Sequence, residues 1–286
     1  MATDIKLFDT DAENSWCPGC GNFGILNALK KALSNQDLLP HEVLVMSGIG
    51  QAAKTPHYIN VNGFNGLHGR GLPPAFGAKV ANKSLKIVVT TGDGDAYGEG
   101  GNHIIHSIRR NIDITHLVHD NQIYGLTKGQ GSPTTAVGHK TSMQFDGVVS
   151  DAFNPIAFAI SLGCSFVARS FSADVDHLSK MIEKAMKHKG YALIDILQPC
   201  VTFNKVNTYK WYKDRIYYLD DEYNPYDKIN AFKKSQEWDD EIPLGIIYKE
   251  DKPTFLDRVP HIKESKPLVD KKLNPKNAEK FLSQFR

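Results

Sequence analysis

The sequence is poor in cysteine and contains no long run of apolar residues. Four cysteines among 286 residues cannot build the dense disulfide framework of a small secreted domain. No apolar stretch approaches the roughly 18–20 residues that a membrane-spanning helix needs, so we expect no membrane association. Residues 1–16 are acidic and polar, unlike a secretory signal peptide. Together these features predict a cytoplasmic protein.

A strong excess of charge of one sign is also missing. The 34 Lys and Arg residues nearly balance the 32 Asp and Glu residues, which gives a formal net charge of +2. This balance argues against a nucleic-acid-binding protein and against an acidic disordered chain. Hydrophobic residues make up 41% of the chain, which is enough for a substantial core. The length allows one large domain or two small ones.

Glycine is scarce in the last part of the chain, where charged residues are concentrated. Residues 1–200 contain 22 of the 23 glycines and 34 charged side chains, whereas residues 201–286 contain one glycine and 32 charged side chains. Residues 1–205 are therefore predicted to form a glycine-rich α/β domain. Residues 206–286 are predicted to form a charged C-terminal extension, and its aromatic residues indicate that it packs as a cover against that domain.

Strand and helix patterns alternate along residues 23–198. Buried strands are predicted at 42–46, 85–91, 114–120, 165–169 and 191–198, and helices at 23–33, 73–82, 101–110, 154–162 and 175–188. This alternation predicts an α/β fold with a mainly parallel sheet and helices on both faces. Such sheets bind ligands beyond the carboxyl ends of their strands.

Residues 92–121 carry the strongest local motif. Asp93 follows one predicted strand, and Asn121 follows the next. A right-handed crossover brings the ends of these strands to the same edge of the sheet. A carboxylate and an amide oxygen, completed by phosphate oxygens, suit Mg²⁺, and Gly92 and Gly94 let the backbone approach an anion. The segment therefore predicts a magnesium–diphosphate site.

Other glycine-rich motifs do not fit this spacing. Asp93 could open a calcium loop, but the twelfth position of that loop is Ile104 instead of Glu. The third glycine of a dinucleotide-binding fingerprint is replaced by Tyr97. The sequence also has no P-loop Gly-Lys-Ser/Thr motif. A glycine-rich turn without chemistry remains the alternative interpretation.

Several motifs in the right order resemble one known family. The Gly-Asp-Gly sequence followed about thirty residues later by Asn is similar to the thiamine diphosphate motif. The surrounding segments resemble the β subunit of archaeal 2-oxoacid:ferredoxin oxidoreductases over roughly residues 12–205. These segments are WCPGCG at 16–21, GLHGR at 66–70, RRNID at 109–113 and DNQIYGLT at 120–127.

The resemblance implies a thiamine diphosphate site with a bound Mg²⁺. By analogy Asp93, Asn121 and the backbone carbonyl of Ile123 hold the metal. Leu126 is the bulky apolar residue expected to favour the reactive bent form of the cofactor. Lys54 and Lys128 could bind the substrate carboxylate, although an ordinary solvated lysine is the alternative for each. The other residues implied to contact the cofactor are Ile49, Gly50, Gln51, Ala52, His68, Gly94, Asp95 and Gly125.

The family also implies a 4Fe-4S cluster held by four cysteines. Cys17, Cys20 and Cys200 match three of these ligands, but Gln51 stands at the fourth position. Four outcomes therefore stay open: a cluster with an unusual or exogenous fourth ligand, a 3Fe-4S cluster, no cluster, or zinc bound with a histidine. Cys164 lies in an apolar run and is expected to be a core residue.

The resembled enzymes convert a 2-oxoacid and coenzyme A to acyl-CoA and CO2, and pass the electrons to ferredoxin. This resemblance implies an α subunit that forms a heterodimer and supplies a Glu for the cofactor pyrimidine. Glu99 is the nearest candidate in this chain, but nothing in the sequence places it at the pyrimidine. Because the partner is expected to supply this Glu, we expect the chain alone to be inactive. Two alternatives remain: a non-redox thiamine diphosphate enzyme, which Gln51 favours, and a non-catalytic assembly subunit, against which the Asp93–Asn121 pair argues.

Overall fold

The structure, a computed structural model, describes residues 2–272 and 274–285. Within these residues, eight strands form one sheet in the order β2-β1-β3-β4-β6-β5-β8-β7. The strands are β1 (Val43–Ser47), β2 (Asn62–Asn65), β3 (Lys86–Gly92), β4 (Ile114–Asp120), β5 (Phe166–Phe171), β6 (Tyr191–Leu197), β7 (Ile216–Tyr218) and β8 (Ile242–Lys249).

Helices connect most of these strands, as the alternating pattern predicts. They are α1 (Asn22–Asn35), α2 (Leu72–Ala81), α3 (Gly101–Arg110), α4 (Pro155–Ser161), α5 (Val175–Lys187), α6 (Tyr209–Lys213), α7 (Lys228–Lys234), α8 (Pro260–Lys263) and α9 (Lys276–Leu282). No helix in the described part of the chain is both long and apolar enough to cross a membrane.

The sheet separates two apolar cores. Leu117 and Val118 are neighbours on β4, so their side chains point to opposite faces of the sheet. Leu117 packs in a cluster with residues of α1 and α5, whereas Val118 packs with residues of α2, α3 and α4. Both faces of the parallel strands are therefore covered, which explains why β4 is buried along its whole length.

Strand pairing aligns the ends of β3 and β4. Both strands are parallel, and Gly92 at the end of β3 lies opposite His119 in β4. The residues that follow each strand therefore emerge at the same edge of the sheet. The predicted mainly parallel α/β fold with helices on both faces is confirmed, since β1–β6 pair in parallel.

The C-terminal part contributes strands that the sequence patterns did not predict. β8 pairs antiparallel with β5 and is nearly fully buried, and β7 pairs in parallel with β8. Pro243 and Gly245 interrupt the apolar pattern of β8, which hides it from a periodicity search. The described part of residues 206–286 thus extends the sheet through β7 and β8. A domain boundary at residue 205 stays a prediction.

Candidate functional site

A cavity of about 470 Å³ lies beyond the carboxyl ends of β1, β3 and β4. Its volume falls within the roughly 300–1,000 Å³ that enclose a cofactor. The structure brings to this cavity every residue predicted to hold Mg²⁺ or to contact thiamine diphosphate. These residues are Ile49, Gly50, Gln51, Ala52, His68, Asp93, Gly94, Asp95, Asn121, Ile123, Gly125 and Leu126.

Asp93 is the buried carboxylate at the end of β3. Its Oδ2 accepts hydrogen bonds from Ser132 Oγ at 2.5 Å and from Thr134 Oγ1 at 2.7 Å. Burial nevertheless raises the pKa of Asp93 to about 6, because it disfavours the charged form more than these donors favour it. A bound cation would favour the charged carboxylate, so the environment of Asp93 suits a metal ligand.

Thr134 connects Asp93 to a second buried acid, Asp120, at the end of β4. The Thr134 hydroxyl lies 2.8 Å from Asp120 Oδ1 as well as within reach of Asp93. A hydroxyl has one proton, so it cannot donate to both carboxylates at once. Burial, with the negative charges of Asp195 and Asp93, raises the pKa of Asp120 well above its usual range. The burial that disfavours charge on Asp120 therefore favours Asp93 as the acceptor of the Thr134 proton.

The turn after β4 is held in an uncommon backbone conformation. Gln122 has a φ of 57°, in the left-handed region, which costs a non-glycine residue roughly 1–3 kcal/mol. Thr135 Oγ1 donates to the Gln122 carbonyl at 2.6 Å, and Gln122 Nε2 donates to Tyr212 Oη at 3.2 Å. These bonds stabilise the turn that places Asn121 and Ile123 at the cavity.

Asp95 joins the loops around the cavity. Its Oδ1 accepts from the Gly69 N–H at 2.6 Å and lies 3.9 Å from His68 Nε2. Gly48 allows this arrangement, because a Cβ there would lie 2.0 Å from Asp95 Oδ2. That Oδ2 is buried and has no hydrogen-bond partner among the described residues. A donor group on a bound cofactor would satisfy it, so the lining fits the thiamine diphosphate that the resemblance implies.

Three cysteines lie around a second, smaller cavity of about 30 Å³. Cys17, Cys20, Cys200 and Gln51 all line it. Burial, with the nearby Cys200 and Cys17, raises the pKa of the Cys20 thiol to about 11. The described ranges 2–272 and 274–285 contain no group of three His, Cys, Asp or Glu side chains positioned to hold a metal ion. The donor types suit an iron–sulfur cluster, but the cavity must widen to admit one.

Comparison with known protein families places these features in context. Residues 44–196 match the model of the thiamine pyrophosphate enzyme C-terminal domain, which binds TPP, and residues 200–264 match the C-terminal part of the pyruvate ferredoxin oxidoreductase β subunit. The first match covers the sheet edge that carries Asp93 and Asn121. The second match begins at Cys200 and includes β7 and β8.

Two similar proteins show the family to which the chain belongs. The β subunit of 2-oxoacid:ferredoxin oxidoreductase 1 from Aeropyrum pernix is 47% identical, over 85% of this chain and 80% of that protein. The β subunit from Saccharolobus solfataricus is 45% identical, over 86% of this chain and 89% of that protein. The chain belongs to the 2-oxoacid:ferredoxin oxidoreductase β-subunit family. This membership supports an oxidoreductase over a non-redox thiamine diphosphate enzyme.

A solved structure from the same family has the same fold. It is 2-oxoglutarate:ferredoxin oxidoreductase from Magnetococcus marinus with 2-oxoglutarate, coenzyme A and succinyl-CoA bound. The TM-score is 0.90 at 32% identity, and the match covers 97% of this chain and 95% of that chain. The sheet of this β subunit, including its C-terminal strands, is therefore that of an oxidoreductase subunit.

Gln198 links the two cavities of this β subunit, and the sequence motifs did not single it out. Its Oε1 accepts from Asn121 Nδ2 at 3.0 Å, and its Nε2 donates to Cys20 Sγ at 3.5 Å. The residue is almost fully buried at the end of β6. Its position two residues before Cys200, at the same sheet edge as Asn121, is the sequence feature that could have identified it as a site residue.

Three other residues considered in the sequence analysis lie in different surroundings. Lys54 is not among the residues that line the cofactor cavity, and its ammonium group donates to Ser15 Oγ at 2.9 Å. Glu99 lines the cofactor cavity and is exposed there. Cys164 is fully buried in the core, as predicted, and its thiol donates to the Phe166 carbonyl at 3.3 Å. The catalytic role of Lys54 stays a prediction.

Proposed function

We propose that this chain is the thiamine diphosphate-binding β subunit of an enzyme that oxidatively decarboxylates 2-oxoacids. With an α subunit it forms acyl-CoA and CO2 from a 2-oxoacid and coenzyme A, and passes the electrons to ferredoxin. The observation that carries this proposal is the convergence of all predicted cofactor residues on one cavity of about 470 Å³ at the sheet edge. The family membership supplies the reaction class.

The residues of the cavity have distinct parts in this function. Asp93, Asn121 and the carbonyl of Ile123 hold Mg²⁺ and through it the diphosphate. Bound thiamine diphosphate supplies the carbon nucleophile and takes up the electrons that remain when CO2 leaves. Leu126 is partly exposed at the cavity and limits the shapes that a ligand can adopt there. Asp95 accepts from the Gly69 N–H and so holds the loop that carries His68 at the cavity.

Cys17, Cys20 and Cys200 are proposed to hold an iron–sulfur cluster beside the cofactor. Gln51, Asn121 and Gly125 line both cavities, so the two sites share a wall. Gln198 adds an N–H donor to Cys20 Sγ, and such donors tune cluster potential. Cluster binding requires this small cavity to widen, and Val201, Thr202 and Phe203, which follow Cys200, form part of its lining.

An exposed apolar surface supports a proposed binding site for the α subunit. Met143, Phe145 and Val149 are strongly exposed and line a groove of about 750 Å³. This groove shares Tyr124 and Gly131 with the cofactor cavity. Contiguous exposed apolar side chains mark protein–protein interfaces. The α subunit is therefore proposed to cover this groove and to complete the substrate pocket above Leu126.

Acceptor reduction by the purified complex tests this function. We expect ferredoxin reduction that requires the α subunit, a 2-oxoacid and coenzyme A together, and little activity from the β subunit alone. Phe145→Ser should weaken association with the α subunit, whereas Phe285→Ser, at an exposed residue of the C-terminal segment, should not. Release of an aldehyde from the 2-oxoacid without acceptor reduction would instead favour the non-redox alternative.

A further inference from the structure

Two hydroxyl groups hold one particular oxygen of the Asp93 carboxylate. Ser132 Oγ and Thr134 Oγ1 both donate to Asp93 Oδ2, at 2.5 Å and 2.7 Å. The next hydroxyl near Ser132 Oγ is Thr135 Oγ1, which is farther away at 3.2 Å. A carboxylate oxygen has two lone pairs, so two donors fill the hydrogen-bonding capacity of Oδ2. The other oxygen, Oδ1, is therefore the one that can take a metal ligand bond.

Thr134 has a second acceptor, Asp120, within reach. Thr134 Oγ1 lies 2.8 Å from Asp120 Oδ1, slightly farther than its 2.7 Å from Asp93 Oδ2. Asp120 Oδ1 also accepts from the Gln122 N–H at 3.2 Å, so it has a donor without Thr134. Asp93 Oδ2 is thus the acceptor that needs the Thr134 proton to complete its pair of donors.

The segment that carries the two hydroxyls is itself held in place. The Ser132 N–H donates to Thr135 Oγ1 at 2.7 Å, and the Thr135 N–H donates back to the Ser132 carbonyl at 3.1 Å. The carbonyl of Pro133 accepts from the Phe153 N–H at 2.8 Å. Ser132 and Thr134 are each only 6% exposed. Side chains that are fixed in this way can orient a ligand before the metal arrives.

We propose that Ser132 and Thr134 are positioning residues that select Oδ1 of Asp93 as the oxygen that binds Mg²⁺. This inference rests on the proposed magnesium–thiamine diphosphate site and adds the groups that orient its acidic ligand. A freely rotating carboxylate would lose that freedom when the metal binds, whereas two fixed donors remove it beforehand. Loss of either hydroxyl should therefore weaken metal binding although no metal ligand is removed.

Substitution of the hydroxyls in the complex with the α subunit tests this proposal. Thr134→Val and Ser132→Ala each remove one hydroxyl, whereas Thr134→Ser keeps the hydroxyl and removes a methyl group. Thr254→Val is the matched control, because Thr254 Oγ1 donates to Asp257 Oδ2 at 2.9 Å, outside the described lining of the cofactor cavity. Mn²⁺, which takes the same oxygen ligands as Mg²⁺, would be titrated by EPR at saturating thiamine diphosphate. The unfolding temperature of each metal-free complex would also be recorded.

We expect Thr134→Val and Ser132→Ala to bind Mn²⁺ about tenfold more weakly than the wild type, the lower end of the effect of residues that orient metal ligands. Thr134→Ser and Thr254→Val should bind within about twofold of the wild type, since both keep the two hydroxyls at Asp93.

Three results would contradict this account at different levels. If Thr134→Val and Ser132→Ala only lowered the unfolding temperature and bound Mn²⁺ like the wild type, the hydroxyls would stabilise the fold alone and the inference would be wrong. Equal losses of affinity in Thr134→Val and Thr134→Ser would also overturn it, because the methyl group would then matter instead of the hydroxyl. Failure of the wild-type complex to bind Mn²⁺ with thiamine diphosphate would contradict the proposed cofactor site itself.

Discussion

The cofactor cavity and the cysteine cavity share a wall, but different forces hold their residues in place. Asp93, Asn121 and Ile123 follow parallel strands whose register is set by the sheet, and side-chain hydrogen bonds support each of these positions. The cysteines lie before α1 and after β6, and Gln198 donates to only one of their sulfurs. The fold thus positions the residues of the first site, whereas the second would have to rearrange to hold the proposed cluster.

The two sites should differ in how readily they bind their cofactor or metal. A prepared site binds its cofactor without large rearrangement, because the backbone already satisfies the required geometry. A site that includes a thiol with a raised pKa must release a proton before metal binds, so its loading is coupled to pH. The burial that raises the pKa of Cys20 to about 11 adds to this cost.

Removal of the Asp93 carboxylate should have the largest effect of these substitutions. We expect the effect to be confined to ligand binding in the cofactor cavity. Asp93→Asn loses the only acidic Mg²⁺ ligand proposed, so we expect the affinity for Mg²⁺ and thiamine diphosphate to fall by more than about 100-fold. Calorimetric titration of the complex measures this affinity. Asp176→Asn, at an exposed residue paired with Lys31, is the matched control and should bind normally. Unchanged binding in Asp93→Asn would show that the metal lies elsewhere.

Removal of the Cys200 thiol should affect only the cysteine cavity and its proposed cluster. Cys200→Ser is expected to lose most of the reconstituted iron and sulfide, because a hydroxyl is a poor ligand where a thiolate is needed. Affinity for thiamine diphosphate should stay within about twofold, since Cys200 does not line that cavity. Iron content reports on the cysteine cavity, and a titration with thiamine diphosphate reports on the cofactor cavity. Normal iron content in Cys200→Ser would remove this residue from the ligand set.

Substitution of Gln198 should change both sites, because this residue contacts Asn121 and Cys20. In Gln198→Leu we expect about tenfold weaker Mg²⁺–cofactor binding, the lower end of the effect of residues that orient metal ligands. The reduction potential of the cluster should fall, since an N–H donor stabilises the more negative reduced cluster. Redox titration followed by EPR measures this potential. An effect on one site alone would show that the contact does not couple them.

Substitution of Lys54 should have the smallest effect, because its ammonium group contacts Ser15 outside the described cavity lining. We expect Lys54→Met to change kcat/KM for the 2-oxoacid by less than about threefold, as for an exposed polar contact. The measurement is steady-state acceptor reduction by the complex. A loss of tenfold or more, mainly in KM, would instead support the predicted role of Lys54 in binding the substrate carboxylate.

The sequence predicted the sheet edge well, because strands and glycine-rich turns have local patterns. The Asp93–Asn121 spacing and the alternation of elements were enough to bring both residues to one edge. Ser132 and Thr134 could not be predicted, since they reach Asp93 from a long connection without periodicity. Gln198 was missed for a related reason: its contacts join residues far apart in the chain.

The C-terminal part was less predictable, because its strands depend on tertiary pairing. β7 has three residues, and β8 contains Pro243 and Gly245, so neither has a clear pattern of its own. β8 is placed by its antiparallel pairing with β5, which a local pattern does not reveal. Tyr212 shows the functional value of this part, since its hydroxyl supports the Gln122 turn beside Asn121.

The most direct test is an anaerobic visible absorption spectrum of the complex with the α subunit, combined with iron and sulfide assays. If the two cavities act in one electron path, the broad cluster absorption should bleach only when 2-oxoacid and coenzyme A are both added. A colourless, iron-free complex that still binds thiamine diphosphate after attempted reconstitution would contradict this account.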